Sequence, residues 1–274
     1  MTIVAIVVSV LSLGLAVVVA RGLAERARIA RGLVIGATLA LVLWVVLGQQ
    51  SLWVARLIPG PYLLVLGEWL PLIAALVCGA AWSAMKTPAW RRVALLGPTG
   101  AAAIIVAYLP LLSTRPPCDN FWQHGVCIQT TPSTCTAAAA ATLLARKDLH
   151  HSEAELVAAC ATTKRGTLLH GAIGGLRAFA KQHRVCFDSF DHIDDVPLPA
   201  ILSVVLTDEL DARDPRYRND WGWIINQPHS VILLAIEPDG RPLIADPAIG
   251  IEHWDQTGLT ELWTGRAIWL ADSD

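Results

Sequence analysis

The chain has 274 residues, 54% hydrophobic and 16% charged, against about 45–50% and about 25% in ordinary soluble domains. Its net charge of −2 hides an uneven split: nine Lys/Arg and two acids in residues 1–117, twelve Lys/Arg and twenty-one acids in residues 118–274. The basic residues sit beside apolar runs, not among exposed aromatics, so no nucleic-acid partner is expected.

Taken in chain order, apolar runs at residues 2–20, 32–48, 62–84 and 94–112 come first. Each has about the length needed to cross ~30 Å of hydrocarbon. They predict a four-helix transmembrane region over residues 1–112, a multi-pass integral membrane protein, and membrane lipid as a partner. The first run has no basic region before it and is followed by Arg21, so it reads as a span and not as a cleaved signal peptide. Glu68 and Pro71 in the third run are expected to face the bundle, with Glu68 reaching the interface. Arg21, Arg26, Arg28 and Arg31 mark the first connection and Lys86, Arg91 and Arg92 the third, against Arg56 alone in the second. Basic loops stay in the cytoplasm, so the C-terminal part is predicted to be extracytoplasmic. Gly97-Pro98-Thr99-Gly100 lacks a following Lys-Ser/Thr and reads as helix punctuation, not as a phosphate loop.

Residues 113–126 read as a linker and loop, opened by Ser113-Thr114-Arg115-Pro116-Pro117. Residues 127–274 read as one α+β domain, helices first and an antiparallel sheet afterwards. A capped helix is predicted over 135–145, closed by Arg146 and Lys147. Ser152 and Glu155 form a capping box that opens a second helix, to about 161. Gly166-Thr167 starts a third, to about 183, with Leu168, Ile173, Leu176 and Phe179 on one face. Strands are predicted at 185–190, 200–205, 230–236, 242–245 and 266–270, with Pro238-Asp239-Gly240 as a hairpin turn. Residues 207–228, polar and aromatic, form a long loop of the kind that borders active sites.

Six cysteines invite disulfides, metal ligation or catalysis. Cys78, inside an apolar run, reads as a packing residue. Cys118 and Cys127 are expected to form a disulfide in an extracytoplasmic loop. Cys160 and Cys186 are either buried thiols or a second bridge. No cysteine pair has zinc-knuckle spacing and no His-Glu-x-x-His occurs, so neither a metal nor a cofactor is expected. Cys135 is different, because a thiol in the first turn of a helix feels the positive end of the dipole and is favoured as thiolate. Gln129, six residues earlier, can present its amide beside that sulfur and, with the Cys135 backbone N–H, form an oxyanion hole. His229 opens an apolar strand, His-Ser-Val-Ile-Leu-Leu-Ala-Ile, and Asp246 ends the next one, before Pro247. Neighbouring antiparallel strands can bring that carboxylate to the imidazole and fix its tautomer. Each residue alone has a bland reading as core thiol, strand punctuation or turn; the order Gln, Cys, His, Asp points to nucleophilic catalysis.

The segment Gln129-Thr-Thr-Pro-Ser-Thr-Cys135 before a small-residue helix resembles the active-site opening of the bacteriocin-processing, double-glycine peptidases, a papain-like family. Arg165-Gly166-Thr167, Leu198-Pro199-Ala200-Ile201, the His229 strand, Ala245-Asp246-Pro247-Ala248-Ile249-Gly250 and Trp263-Thr264-Gly265 extend the resemblance over about residues 127–271. It implies a thiol peptidase acting on a peptide or protein substrate. Cys135 would be the nucleophile, His229 the base and acid, Asp246 its orienting partner and Gln129 the oxyanion donor. Two features depart from the family pattern: Thr134-Cys135-Thr136 replaces Asp-Cys-Gly, and residues 207–228 have no counterpart. A related acyltransferase or amidase, and an inactive peptidase-fold binding module, are the alternative functions.

Overall fold

A computed structural model describes residues 2–43, 66–112 and 115–272. Arg56, the expected second connection and parts of the second and third apolar runs lie outside them. The chain divides into two compact units, Met1–Thr114 and Arg115–Asp274.

The first unit is helical: α1 (Thr2–Gly22), α2 (Ala27–Leu43), α3 (Leu66–Ala84) and α4 (Ala89–Leu112), with α3 packed against the other three. Gly79 permits the close approach of α3 to α1, since a Cβ there would stand 2.5 Å from the Ala16 carbonyl oxygen. The Ser83 hydroxyl donates to the Ala20 carbonyl at 2.9 Å across the same contact.

Among the described residues no helix is long and apolar enough to cross a membrane. This overturns the four-helix transmembrane region, the multi-pass integral-membrane placement and the extracytoplasmic position that followed from it. Runs of apolar letters do not coincide with uninterrupted apolar helices. Helix α2 takes in Arg28 and Arg31, where a span asks for about 20 predominantly apolar residues. Helix α3 has 19 residues with Pro71 inside, and α4 begins on Ala89-Trp90-Arg91-Arg92 and carries Gly97-Pro98.

The second unit is mixed α and β. A two-stranded hairpin, β1 (Trp122–Gln123) and β2 (Val126–Cys127), is followed by a 3-10 turn (Pro132–Thr134) and α5 (Cys135–Ala145). Residues 115–126, expected as linker and loop, pack with this unit. The Asp119 N–H donates to Thr130 Oγ1 at 2.7 Å, and Asn120 Oδ1 accepts from the Ala154 N–H at 2.9 Å. Five consecutive alanines, Ala137 to Ala141, are fully buried in α5. Side chains this small let a helix sit tightly in a core. Ser152 caps α6 (Glu153–Ala159) and forms the capping box with Glu155. Helix α7 (Leu169–Phe179) starts later than expected and buries His170, Ile173 and Leu176.

A six-stranded antiparallel sheet follows, in the order β3-β8-β4-β5-β6-β7. Its strands are β3 (His183–Ser189), β4 (Ala200–Val205), β5 (Pro228–Ile236), β6 (Pro242–Asp246), β7 (Gly250–His253) and β8 (Trp263–Asp272). Residues 207–228, expected as an open loop, contain two short helices, α8 (Asp208–Arg213) and α9 (Arg216–Asn219). Helix α10 (Gln256–Leu262) leads into β8.

Strand alternation gives β5 two different faces. Val231 and Leu233 join Trp223, Trp254, Leu259 and Leu262 in one buried cluster. On the other face Ser230 Oγ meets Thr136 Oγ1, in the first turn of α5, at 2.9 Å. The sheet is thus covered by helix on one side and by the 207–228 segment on the other. His229 stands at its end, between the two.

All six cysteines are free. The expected Cys118–Cys127 bridge is not formed, because Cys127 is wholly buried while the Cys118 thiol turns to the Pro116 carbonyl at 3.6 Å. The possible Cys160–Cys186 bridge is not formed either; Cys160 is fully enclosed between α6 and α7, its sulfur lying 2.2 Å from where a Cβ at Gly175 would be.

Candidate active site

Three side chains form a continuous chain of contacts where α5 meets the ends of β5 and β6. His229 Nε2 lies 2.7 Å from Asp246 Oδ1. A carboxylate only accepts, so Nε2 carries the proton and Nδ1 is the ring nitrogen left for a second partner. The Cys135 thiol lies close enough to the His229 side chain for the imidazole's charge and hydrogen-bonding capacity to act on it. The three are enclosed, with 5% of Cys135, 7% of His229 and none of Asp246 exposed. Burial on this scale removes the screening by water that makes surface ion pairs weak.

The chain order explains the meeting. Register pairs Ile232 with Ala245 and Leu233 with Ile244, so Asp246 and His229 fall near each other at the same end of the β5–β6 pair. Cys135 is the first residue of an 11-residue helix. Its backbone N–H and those after it have no intrahelical acceptor, which favours negative charge at that end.

Asp246 has no solvent contact and is satisfied by three donors. Besides His229, Oδ1 accepts from the Ala248 N–H at 2.8 Å and Oδ2 from the Trp223 indole N–H at 3.0 Å. The Trp223 ring also lies 4.5 Å from the His229 ring, centroid to centroid. Trp223 therefore anchors the carboxylate and shields the imidazole together. It is held in turn by Tyr217, Trp221 and Trp254, whose rings pack around it. The segment 207–228 thus supplies a wall of this site.

Electrostatics separates Cys135 from the other thiols. Burial opposes its ionisation, but the hydrogen bond and charge of His229, the Ser230 backbone N–H and the Thr136 hydroxyl outweigh that and bring its pKa below the ordinary thiol value. Burial likewise works against a charge on His229; Asp246, by charge and hydrogen bond, and Cys135 overcome it and push the imidazole up to about 10. Both shifts run in the direction that favours a thiolate beside an imidazolium. Burial moves Cys78 and Cys118 the opposite way, and carries Cys127 and Cys160 up to about 12.

Gln129 reaches the same region through its backbone. Its N–H donates to the Pro247 carbonyl at 2.8 Å, which ties it to the turn after Asp246. The side chain is half-buried, and its Oε1 is buried with no hydrogen-bond partner. Unsatisfied buried polar atoms are uncommon and concentrate at functional sites. Of the residues singled out from sequence, His229 and Asp246 are hydrogen-bonded, Cys135 lies next to His229, and Gln129 is tethered to the turn after Asp246. Sequence reasoning missed Trp223, Thr136 and Ser230. Among the described residues no cluster of His, Cys, Asp or Glu is arranged to hold a metal ion.

A cysteine at the head of a helix, near a histidine and an aspartate on an antiparallel sheet, sits in a peptidase-like α+β fold. No protein-family profile matches the chain, and no curated protein does. Among solved structures it is similar to the peptidase domain of Streptococcus ComA, a bi-functional ABC transporter involved in quorum sensing. Identity is 20% over 55% of this chain and 100% of that one, with a TM-score of 0.42. A double-glycine motif protease from an AMS/PCAT transporter, solved with its leader peptide, gives 16% identity over 54% and 91%, at a TM-score of 0.43. The N-terminal peptidase C39-like domain of a toxin-secretion ATP-binding protein from Vibrio parahaemolyticus gives 13% over 53% and 99%, at 0.33. The resemblance to double-glycine peptidases is therefore met among solved structures over about half of the chain. At these identities and TM-scores it carries no argument about chemistry, which rests on this chain's own side chains.

Proposed function

We propose that the second unit is a thiol peptidase that hydrolyses a bond in a peptide or protein substrate. The observation that carries this reading is the buried Cys135–His229–Asp246 chain, in which Cys135 is the thiol driven toward its ionised form.

In this reading the Cys135 thiolate attacks the carbonyl carbon, forming a C–S bond and pushing the carbonyl electrons onto oxygen. The Gln129 amide and the Cys135 backbone N–H stabilise that oxyanion. As the C–N bond breaks, His229 gives its Nδ1 proton to the departing amine and a thioester remains on Cys135. Water then attacks the thioester while His229 takes up its proton. The acid product leaves, and the thiolate–imidazolium pair is restored. Asp246 keeps the ring in one tautomer through both half-reactions.

The pH dependence of labelling tests this directly. With Cys135 held below the ordinary thiol value, its thiolate is present on the acid side of that value and is lost as pH falls through the lowered pKa. Iodoacetamide is therefore expected to modify Cys135 with a half-maximal rate below about pH 8.5, the value of a free thiol. A second step is expected near pH 10, where His229 loses its proton. Cys127 and Cys160, pushed up to about 12, should stay unmodified at neutral pH. Peptide mapping after timed labelling reads all three. A single step for Cys135 at the free-thiol value would remove the ion pair from the account.

A further inference from the structure

Glu153 opens α6 and has no exposed surface. A buried carboxylate is costly unless it is hydrogen-bonded, and a well-packed apolar residue usually fills such a place at least as well. Both of its oxygens are engaged by one residue. Oε1 accepts from the Thr130 backbone N–H at 2.8 Å and Oε2 from the Thr130 hydroxyl at 2.5 Å. The Thr130 hydroxyl oxygen accepts in turn from the Asp119 N–H at 2.7 Å. Thr130 directly follows Gln129, whose own N–H is tied to the Pro247 carbonyl at 2.8 Å.

Gln129 is therefore clamped between the turn after Asp246 and a buried carboxylate. Its Oε1 has no partner, so no bond at that end of the amide fixes the side chain. Its placement is left to the backbone, and the backbone on its C-terminal side is held by Glu153. An oxyanion donor acts only if it is fixed before charge develops, and a displacement of about 1 Å can cost ~10²-fold in rate.

We propose that Glu153 is a positioning residue that acts through Thr130 to hold the Gln129 amide where the oxyanion forms. The inference rests on the reading of Gln129 as oxyanion donor. It separates two reactions of the same thiol. Alkylation by iodoacetamide occurs at a saturated carbon and builds no oxyanion; hydrolysis of p-nitrophenyl acetate passes through a tetrahedral intermediate that does.

Both reactions are measured on the full chain with Gln129→Ala, Glu153→Ala, Glu153→Gln and the Gln129→Ala/Glu153→Ala double variant. Gln129→Ala is expected to lower ester hydrolysis by about 10²–10³-fold, and Glu153→Ala by roughly 10- to 100-fold. The double variant should be no slower than Gln129→Ala, because a positioning residue has nothing left to position. Glu153→Gln keeps the side-chain volume and one acceptor and should recover part of the rate. Alkylation of Cys135 should be unchanged throughout. Multiplying losses in the double variant, full hydrolysis in Glu153→Ala, or equal falls in alkylation and hydrolysis in both Glu153 variants would each overturn the proposal. A silent Gln129→Ala would remove the oxyanion donor and this inference with it, while leaving Cys135 as nucleophile.

Discussion

Cys135→Ala is expected to reduce cleavage of a proteome-derived peptide mixture to background, a loss on the order of 10⁶-fold if this site behaves as other nucleophile deletions do. In the proposed mechanism the substitution removes the one protein atom that bonds to the substrate carbonyl carbon. It should leave the fold intact, since Cys135 lies at the head of α5, where five buried alanines already make the packing. Loss of one sulfur at a nearly enclosed position costs on the order of 1 kcal/mol, so the melting temperature should shift by only a few degrees. New peptide termini counted by mass spectrometry give the activity, and circular dichroism gives the fold. Undiminished cleavage by a folded Cys135→Ala protein would end the assignment.

The second large effect belongs to His229. Without its imidazole Cys135 loses the largest contributions that bring its pKa down, and only the Ser230 N–H and the Thr136 hydroxyl remain to oppose burial. A thiol with an ordinary pKa is only a few per cent ionised near neutral pH, a loss of about 30-fold in thiolate. Turnover also loses the acid that protonates the amine, commonly worth ~10²–10⁴-fold. His229→Ala should therefore slow peptide cleavage by about 10³- to 10⁵-fold and iodoacetamide labelling much less. The gap between the two is the diagnostic quantity. His229→Gln keeps a donor toward the buried Asp246 carboxylate and guards against a folding defect, because an unpaired buried charge is strongly destabilising. Equal losses in labelling and cleavage would mean that His229 sets only the thiol's ionisation and gives no proton to the amine.

What the sequence made legible was mostly local. The capping box of Ser152 and Glu155 was readable because both partners lie within four residues, and α6 begins there. The strand from His229 was readable from an unbroken apolar run, and Asp246 from an Asp-Pro turn at the end of the next strand. Contacts between distant segments were not readable. Trp223 reaches Asp246 across 23 positions, and no spacing rule links a tryptophan in a polar segment to a carboxylate in a turn. The strand β7 was missed because its four residues follow a tight turn immediately after β6. Helices α8 and α9 were missed because their charged residues bear no apolar stripe longer than a turn.

Two expectations failed for physical reasons. The membrane region was inferred from the density of apolar letters, whereas crossing a bilayer needs length and apolar continuity within one helix. Helix α2 takes in Arg28 and Arg31, α3 holds Pro71, and α4 carries arginines in its first turn. The Cys118–Cys127 bridge was inferred from spacing and from that placement. Spacing says nothing of thiol direction, and here one sulfur is inside the core while the other faces a backbone carbonyl.

The most direct test of the account is to catch the covalent intermediate. Full-length protein turning over p-nitrophenyl acetate is quenched in acid during the first turnovers, digested and mapped by mass spectrometry. An acetyl group on the peptide that carries Cys135, removed by neutral hydroxylamine as a thioester and absent from Cys135→Ala, is the expected result. Turnover that leaves the acetyl group on another residue, or that runs at the same rate in Cys135→Ala, would contradict it.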